Sequence, residues 1–166
     1  AAASHPGIGL TLLPVHYEFG GCDGRPLGPG QIRFGNGFEQ FAKLHDQARQ
    51  TMRYLPNGSR LGVAPHSLRA VAARDLKAAT DLADGGPLHM HLSEQLAEVD
   101  AVQAFHGARP IAFFLDQCDA GPQWCLIHCI QMTKAESDLP ARSGAVPGTC
   151  PFTEGDPGAG LFRATP

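Results

Sequence analysis

Short apolar runs alternate with helix-patterned stretches along this chain, and that alternation restricts its fold more than any other feature. The first run, Gly7-Ile8-Gly9-Leu10-Thr11-Leu12-Leu13-Pro14-Val15, has strand length and no polar alternation, as expected of a strand covered on both faces. Further runs occupy Arg60 to His66, Pro87 to Leu92, Trp124 to Ile130 and Ala145 to Pro151. Helical patterns are read between them: Gly37 to Leu55, Ala72 to Ala83, Glu94 to Phe105 with a further piece from Pro110 to Gln117, and a stretch opened by Thr133. Such alternation demands a parallel sheet with right-handed crossovers. Five strands suit either a doubly wound sheet or part of a (β/α)8 barrel. A complete barrel takes about 250 residues, and this chain has 166.

Local signals set the expected boundaries. In the first helix Phe38, Phe41, Leu44, Ala48, Met52 and Leu55 recur at three and four residues and form one apolar stripe. Pro56-Asn57-Gly58 stops it, and Asp84-Gly85-Gly86 closes the second helix. Thr133 and Glu136 have the spacing of a capping box. Glu18 to Asn36 is a long Gly- and Pro-rich loop, of the kind that often serves as a lid or binding loop.

The chemistry gathers at the ends of the strands. His66, with Arg69 just after it, ends the second; His91 and Glu94 end the third; His128 ends the fourth; Thr153 and Glu154 follow the fifth. In a parallel α/β sheet those ends share the ligand-binding edge. Pro87-Leu88-His89-Met90-His91-Leu92-Ser93-Glu94 is the densest stretch. His89 and His91 share a strand face, and Glu94 falls where the strand turns into helix. A histidine beside a carboxylate that is free to move protons is what metal-assisted hydrolysis requires. His91 alone does not hold a catalytic zinc, which takes three protein ligands and a water.

Bulk properties exclude other classes. The net charge of −3 offers no electrostatic attraction to nucleic acid or an anionic membrane, and no apolar run reaches the length of a membrane span. Ala1 to Pro6 lacks the basic and apolar regions of a signal peptide. The cysteines (Cys22, Cys118, Cys125, Cys129 and Cys150) are odd in number and read as free thiols in a reducing cytoplasm. Cys125, His128 and Cys129 lie on a strand without a second Cys-x-x-Cys pair, so they are not read as a zinc finger.

His91-Leu92-Ser93-Glu94 at a strand end resembles the strand-five motif of amidohydrolase-superfamily deaminases. Gly62-Val63-Ala64-Pro65-His66-Ser67-Leu68-Arg69, Trp124-Cys125-Leu126-Ile127-His128, and Cys150-Pro151 with Thr153-Glu154 extend the likeness over nearly the whole chain. They point to the branch that deiminates N-formimino-L-glutamate in histidine breakdown. The resemblance implies a partial TIM (β/α)8-type barrel, roughly strands three to seven with their helices, across residues 1–166 of an interior stretch of a larger enzyme. It implies His91 as ligand to zinc or another divalent metal, Glu94 as general acid/base, His128 as a catalytic histidine orienting water and substrate, and His66 and Arg69 as substrate contacts. Arg suits a substrate carboxylate because its planar fork binds it bidentately. His89 would face inward below the site. The expected partner is a small-molecule substrate bound by a cytoplasmic homo-oligomer, with neither nucleic acid nor membrane involved. Alternatives are another deaminase or chlorohydrolase of the superfamily acting on a ring, or an inert piece lacking the other metal ligands. Departures cluster late: Gln131 stands where the family tends to have a second His, Pro140 falls inside a helix, Pro147 inside a strand, and Gly155-Asp156-Pro157 where Ala-Asn is expected.

Overall fold

The computed structural model describes His5 and residues 7–155, so the expected departure at Asp156 and Pro157 lies outside the described residues. The strands are β1 (Thr11–Leu12), β2 (Val15–His16), β3 (Arg60–Leu61), β4 (Ala64–Pro65), β5 (Leu88–Leu92), β6 (Trp124–His128) and β7 (Val146–Gly148). The helices are α1 (Phe38–Met52), α2 (Ala73–Ala83), α3 (Leu96–His106), α4 (Pro110–Gln117), α5 (Lys134–Ser143) and α6 (Pro151–Glu154). Every strand pair is parallel: β1 with β3, β2 with β4, and β5–β6–β7 in that order.

Two strands expected to be continuous are each split in two, and prolines explain the breaks. Arg60, Gly62, Ala64 and His66 donate in turn to the carbonyls of Leu10, Leu12, Pro14 and His16, at 2.8 to 3.0 Å. Pro14 falls between the β1–β3 and β2–β4 pairs and has no N–H to return. The other edge of the Arg60–His66 segment joins β5 through Val63 N to Pro87 O, His89 N to Val63 O and His91 N to His66 O, each 3.0 Å. Pro65 again lacks the donor that would complete that ladder. Gly62 lets the two segments approach: a Cβ there would meet the Pro87 carbonyl oxygen at 2.0 Å.

Strand alternation on β5 and β6 builds the core. Leu88, Met90 and Leu92 of β5, with Trp124 and Leu126 of β6, are buried against a layer holding Leu76, Val102, Ile111 and Phe114. The α1 stripe differs from the expected one. Phe41 and His45 are its buried members, and Leu44 is 45% exposed, because the face turned inward runs 38–41–45 rather than through 44. At Thr133 the expected capping box forms: Glu136 N donates to Thr133 Oγ1 at 3.2 Å, and Thr133 N to Glu136 Oε2 at 2.9 Å. Thr133 Oγ1 and Arg109 Nε also donate to that carboxylate, at 2.9 and 2.8 Å. Helix α5 runs through the buried Pro140 and ends on Gly144, whose φ of +82° suits a residue without Cβ. The expected last strand, Ala145 to Pro151, is shorter, and Pro151 instead starts α6, which carries Thr153 and Glu154.

Candidate active site

The C-terminal ends of β2, β4, β5 and β6 and the helix after β7 bring Tyr17, His66, His91, Glu94, His128 and Glu154 into one chain of contacts. The Tyr17 and His66 rings are 4.4 Å apart between centroids, His66 and His91 5.1 Å, and His91 and His128 5.2 Å. His91 projects from the β5 face opposite the buried Leu88, Met90 and Leu92, and His89 shares that face one step earlier.

His128 reaches the site through its backbone. Strict alternation would put it on the side of Trp124 and Leu126, away from His91. Its φ is +77°, followed by +51° at Cys129, and these left-handed residues break the alternation. Such conformations are costly for residues with a Cβ and gather at functional sites. Nε2 of His128 stands 3.2 Å from His91 Nδ1 and 3.7 Å from Glu94 Oε1. On its other side Nδ1 faces Glu154 Oε1 at 3.1 Å, and Cys150 N donates to the same oxygen at 2.7 Å. A neutral His128 that donates from Nδ1 to Glu154 keeps its Nε2 lone pair turned toward His91.

Glu94 sits on a turn that Glu98 braces. Ser93 has φ +53°, and the N–H groups of Ser93 and Glu94 donate to the two Glu98 oxygens at 3.2 and 2.9 Å. Glu98 is 1% exposed, and burial raises the pKa of its carboxyl. Sequence position puts Glu154 at the ligand-binding edge but shows neither its contact with His128 nor the hold of Glu98 on this turn. An acid in the first turn of α3 is an ordinary helix feature, and only the fold reveals which amides it holds.

His66 and His91 are both held neutral. Burial is the main cause for His91, with His128 adding to it and Glu94 opposing. For His66, burial, then His91, then Arg69 push the pKa down to about 4. The unfolded chain, with His near 6.5, therefore binds more protons than the folded one between pH 6.5 and about 4, and stability falls as pH drops through that window. The expected loss is up to about 3 kcal/mol. Urea midpoints at pH 7 and 4.5 should separate the wild type from His66→Asn; equal losses would mean His66 is not the group responsible.

Arg69 stands apart from the imidazoles. Its Nε is buried with no hydrogen-bond partner, and its side chain lines a cavity of about 440 Å³ with Cys22, Asp23, Ala97 and Phe105. Its charge still reaches His66 and His91. A second cavity, about 380 Å³, is lined by Val15, Tyr17, Gln31, Phe34 and His66 itself. The cysteines are free thiols, as expected; Cys129 is buried, and Cys150 Sγ lies within 4.8 Å of donor atoms of His128 and Glu154.

The chain is similar to enzymes of the amidohydrolase class in both sequence and structure. An amidohydrolase from Brucella melitensis superposes on 98% of the chain and 36% of that protein, with a TM-score of 0.93 and 44% identity. Formimidoylglutamate deiminase from Pseudomonas aeruginosa is 44% identical over 167 aligned residues, 99% of this chain. A 5-methylthioadenosine/S-adenosylhomocysteine deaminase from Nitratidesulfovibrio vulgaris is 31% identical over 77% of the chain. An adenosine deaminase from Xanthomonas campestris, solved with bound zinc, shares the fold at a TM-score of 0.71. No protein-family model matches the chain. It spans 36% of the length of the first of these deaminases and 28% of the second. These relatives are hydrolases of C–N bonds. No helix among the described residues is long and apolar enough to cross a membrane.

Proposed function

We propose that this chain is the proton-transfer section of a metal-dependent deiminase that converts N-formimino-L-glutamate to N-formyl-L-glutamate and ammonia. The observation that carries the reading is the His91–His128–Glu94 constellation at the strand ends, in a chain 44% identical to formimidoylglutamate deiminase. On this reading the consecutive parallel segments from β1 to β7 are one arc of a (β/α)8 barrel, strands three to seven.

The donor set fits one part of a divalent metal site. His91 is neutral and keeps a nitrogen lone pair for an ion such as zinc. The other ligands we assign to strands of the full enzyme beyond this section. When bound, the ion supplies the acidity that makes water a nucleophile near neutral pH.

The chain's own residues do the rest. Water adds to the formimino carbon, and the bond from that carbon to its terminal nitrogen breaks. Glu94 carries the two protons of the water in turn to the departing nitrogen, which leaves as ammonia while the carbon keeps the oxygen as the formyl carbonyl. His128, fixed by Glu154, orients the water, and the neutral His66 contacts the substrate. Arg69 binds a substrate carboxylate, which would pair the guanidinium left without a partner on its Nε.

Arg69→Ala in the full-length enzyme is therefore expected to raise KM for N-formimino-L-glutamate roughly tenfold to hundredfold, the value of charge-assisted hydrogen bonds. A normal KM would reject the dicarboxylate substrate. It would favour the second reading, a deaminase of a ring substrate, which the match to the methylthioadenosine deaminase supports.

A further inference from the structure

His16 ends β2, and its buried ring packs on α1 without a hydrogen bond. It is 0% exposed, stacked on Phe41 at 5.3 Å and edge-on to Phe38 at 5.5 Å. Neither ring nitrogen has a hydrogen-bond partner. A buried polar group left so costs about 1–3 kcal/mol. Its Nε2 looks toward Glu18 Oε2 at 3.5 Å. Asp75, in the first turn of α2, offers a second buried oxygen without a partner, Oδ2, while Arg74 Nε lies 3.7 Å from its other oxygen.

Candidate donor atoms from His16, Glu18 and Asp75 all lie within 4.8 Å of one another. We propose that His16, Glu18 and Asp75 bind a divalent transition-metal ion, with water completing its shell. A cation there removes three deficits together: the orphaned imidazole, the unpaired Asp75 oxygen and the repulsion between two carboxylates. That repulsion adds to burial in raising the Glu18 pKa. One imidazole nitrogen and two carboxylate oxygens suit Zn²⁺, whereas Mg²⁺ and Ca²⁺ take oxygen ligands throughout. The Glu18 and Asp75 side chains are 27% and 13% exposed, so the cluster opens to solvent on one side.

The ion would tie the end of β2 to the start of α2. The segment it holds is already pinned where Glu18 N and Phe19 N both donate to Ala70 O, at 2.8 and 3.0 Å. Tyr17, which packs on His66, lies between His16 and Glu18. The ion would thus brace one wall of the active site without entering the chemistry.

The test is calorimetric titration of metal-stripped full-length protein with Zn²⁺, comparing the wild type with Glu18→Gln and Asp75→Asn. Each variant changes one partly exposed carboxylate and leaves the buried ring in place. Each should bind about one Zn²⁺ fewer per chain than the wild type and lose part of the Zn²⁺-dependent rise in Tm. Equal stoichiometry in all three proteins would overturn the proposal, whatever the strand-end site binds. A His16 ring that NMR shows to be an imidazolium in the metal-free protein, unmoved by added Zn²⁺, would overturn it as well.

Discussion

Replacing Glu94 with Gln in the full-length enzyme is expected to lower kcat by about 10²–10⁴-fold, with little change in KM. The amide keeps the size of the side chain and cannot take a proton from water. The turn that presents it should survive, because Glu98 holds that turn through the backbone N–H groups of residues 93 and 94, not through the Glu94 side chain. The carboxylate lies 3.7 Å from His128 Nε2, too far for a direct hydrogen bond and near enough for the two groups to share one water. Loss of kcat with normal zinc content and normal melting would assign the proton transfer to Glu94. A kcat within about threefold of wild type would remove Glu94 from the mechanism, since general acid–base catalysis contributes at least about a hundredfold.

Trp124→Ala is expected to destabilise the fold by about 3–5 kcal/mol, a large part of the 5–15 kcal/mol that holds a typical domain together. Trp124 opens β6, is fully buried, and packs edge-on to Phe114 of α4 at 4.9 Å. Its removal empties the contact between the sheet and the helix layer and takes away an aromatic pair worth about 0.5–1.5 kcal/mol beyond its area. The indole Nε1 is buried without a hydrogen-bond partner. Trp124→Phe should therefore cost much less than Ala, because it keeps most of the ring and removes an unpaired donor. Urea denaturation followed by far-ultraviolet circular dichroism measures both variants. A loss below about 1 kcal/mol for Ala would mean that β6 is not seated as described.

The strand–helix order could be read from residue patterns because the signals are local. Apolar runs, the Pro56-Asn57-Gly58 and Asp84-Gly85-Gly86 stops and the Thr133–Glu136 box each act within a few residues. What depends on packing across the sheet could not be read so directly. The prolines Pro14 and Pro65 split two strands because a missing N–H matters only once the neighbouring strand is known. His45 takes the inward position that Leu44 was expected to hold, since helix phase shows only against a partner. Sequence position puts His128 at the strand-end site, yet a strand's alternation would turn it away; its left-handed φ resolves this. Glu98 and Glu154 sit four and twenty-six residues from the groups they brace, a relation that only the fold creates.

The constellation around Glu94 and His91 is proposed to deiminate a formimino amino acid. Ammonia release by the full-length, zinc-loaded enzyme tests it most directly, with N-formimino-L-glutamate and methylthioadenosine offered separately. The expected result is efficient turnover of N-formimino-L-glutamate, with kcat/KM above about 10⁴ M⁻¹s⁻¹, and no ammonia from the nucleoside. Preference for the nucleoside, or no ammonia from N-formimino-L-glutamate, would contradict it.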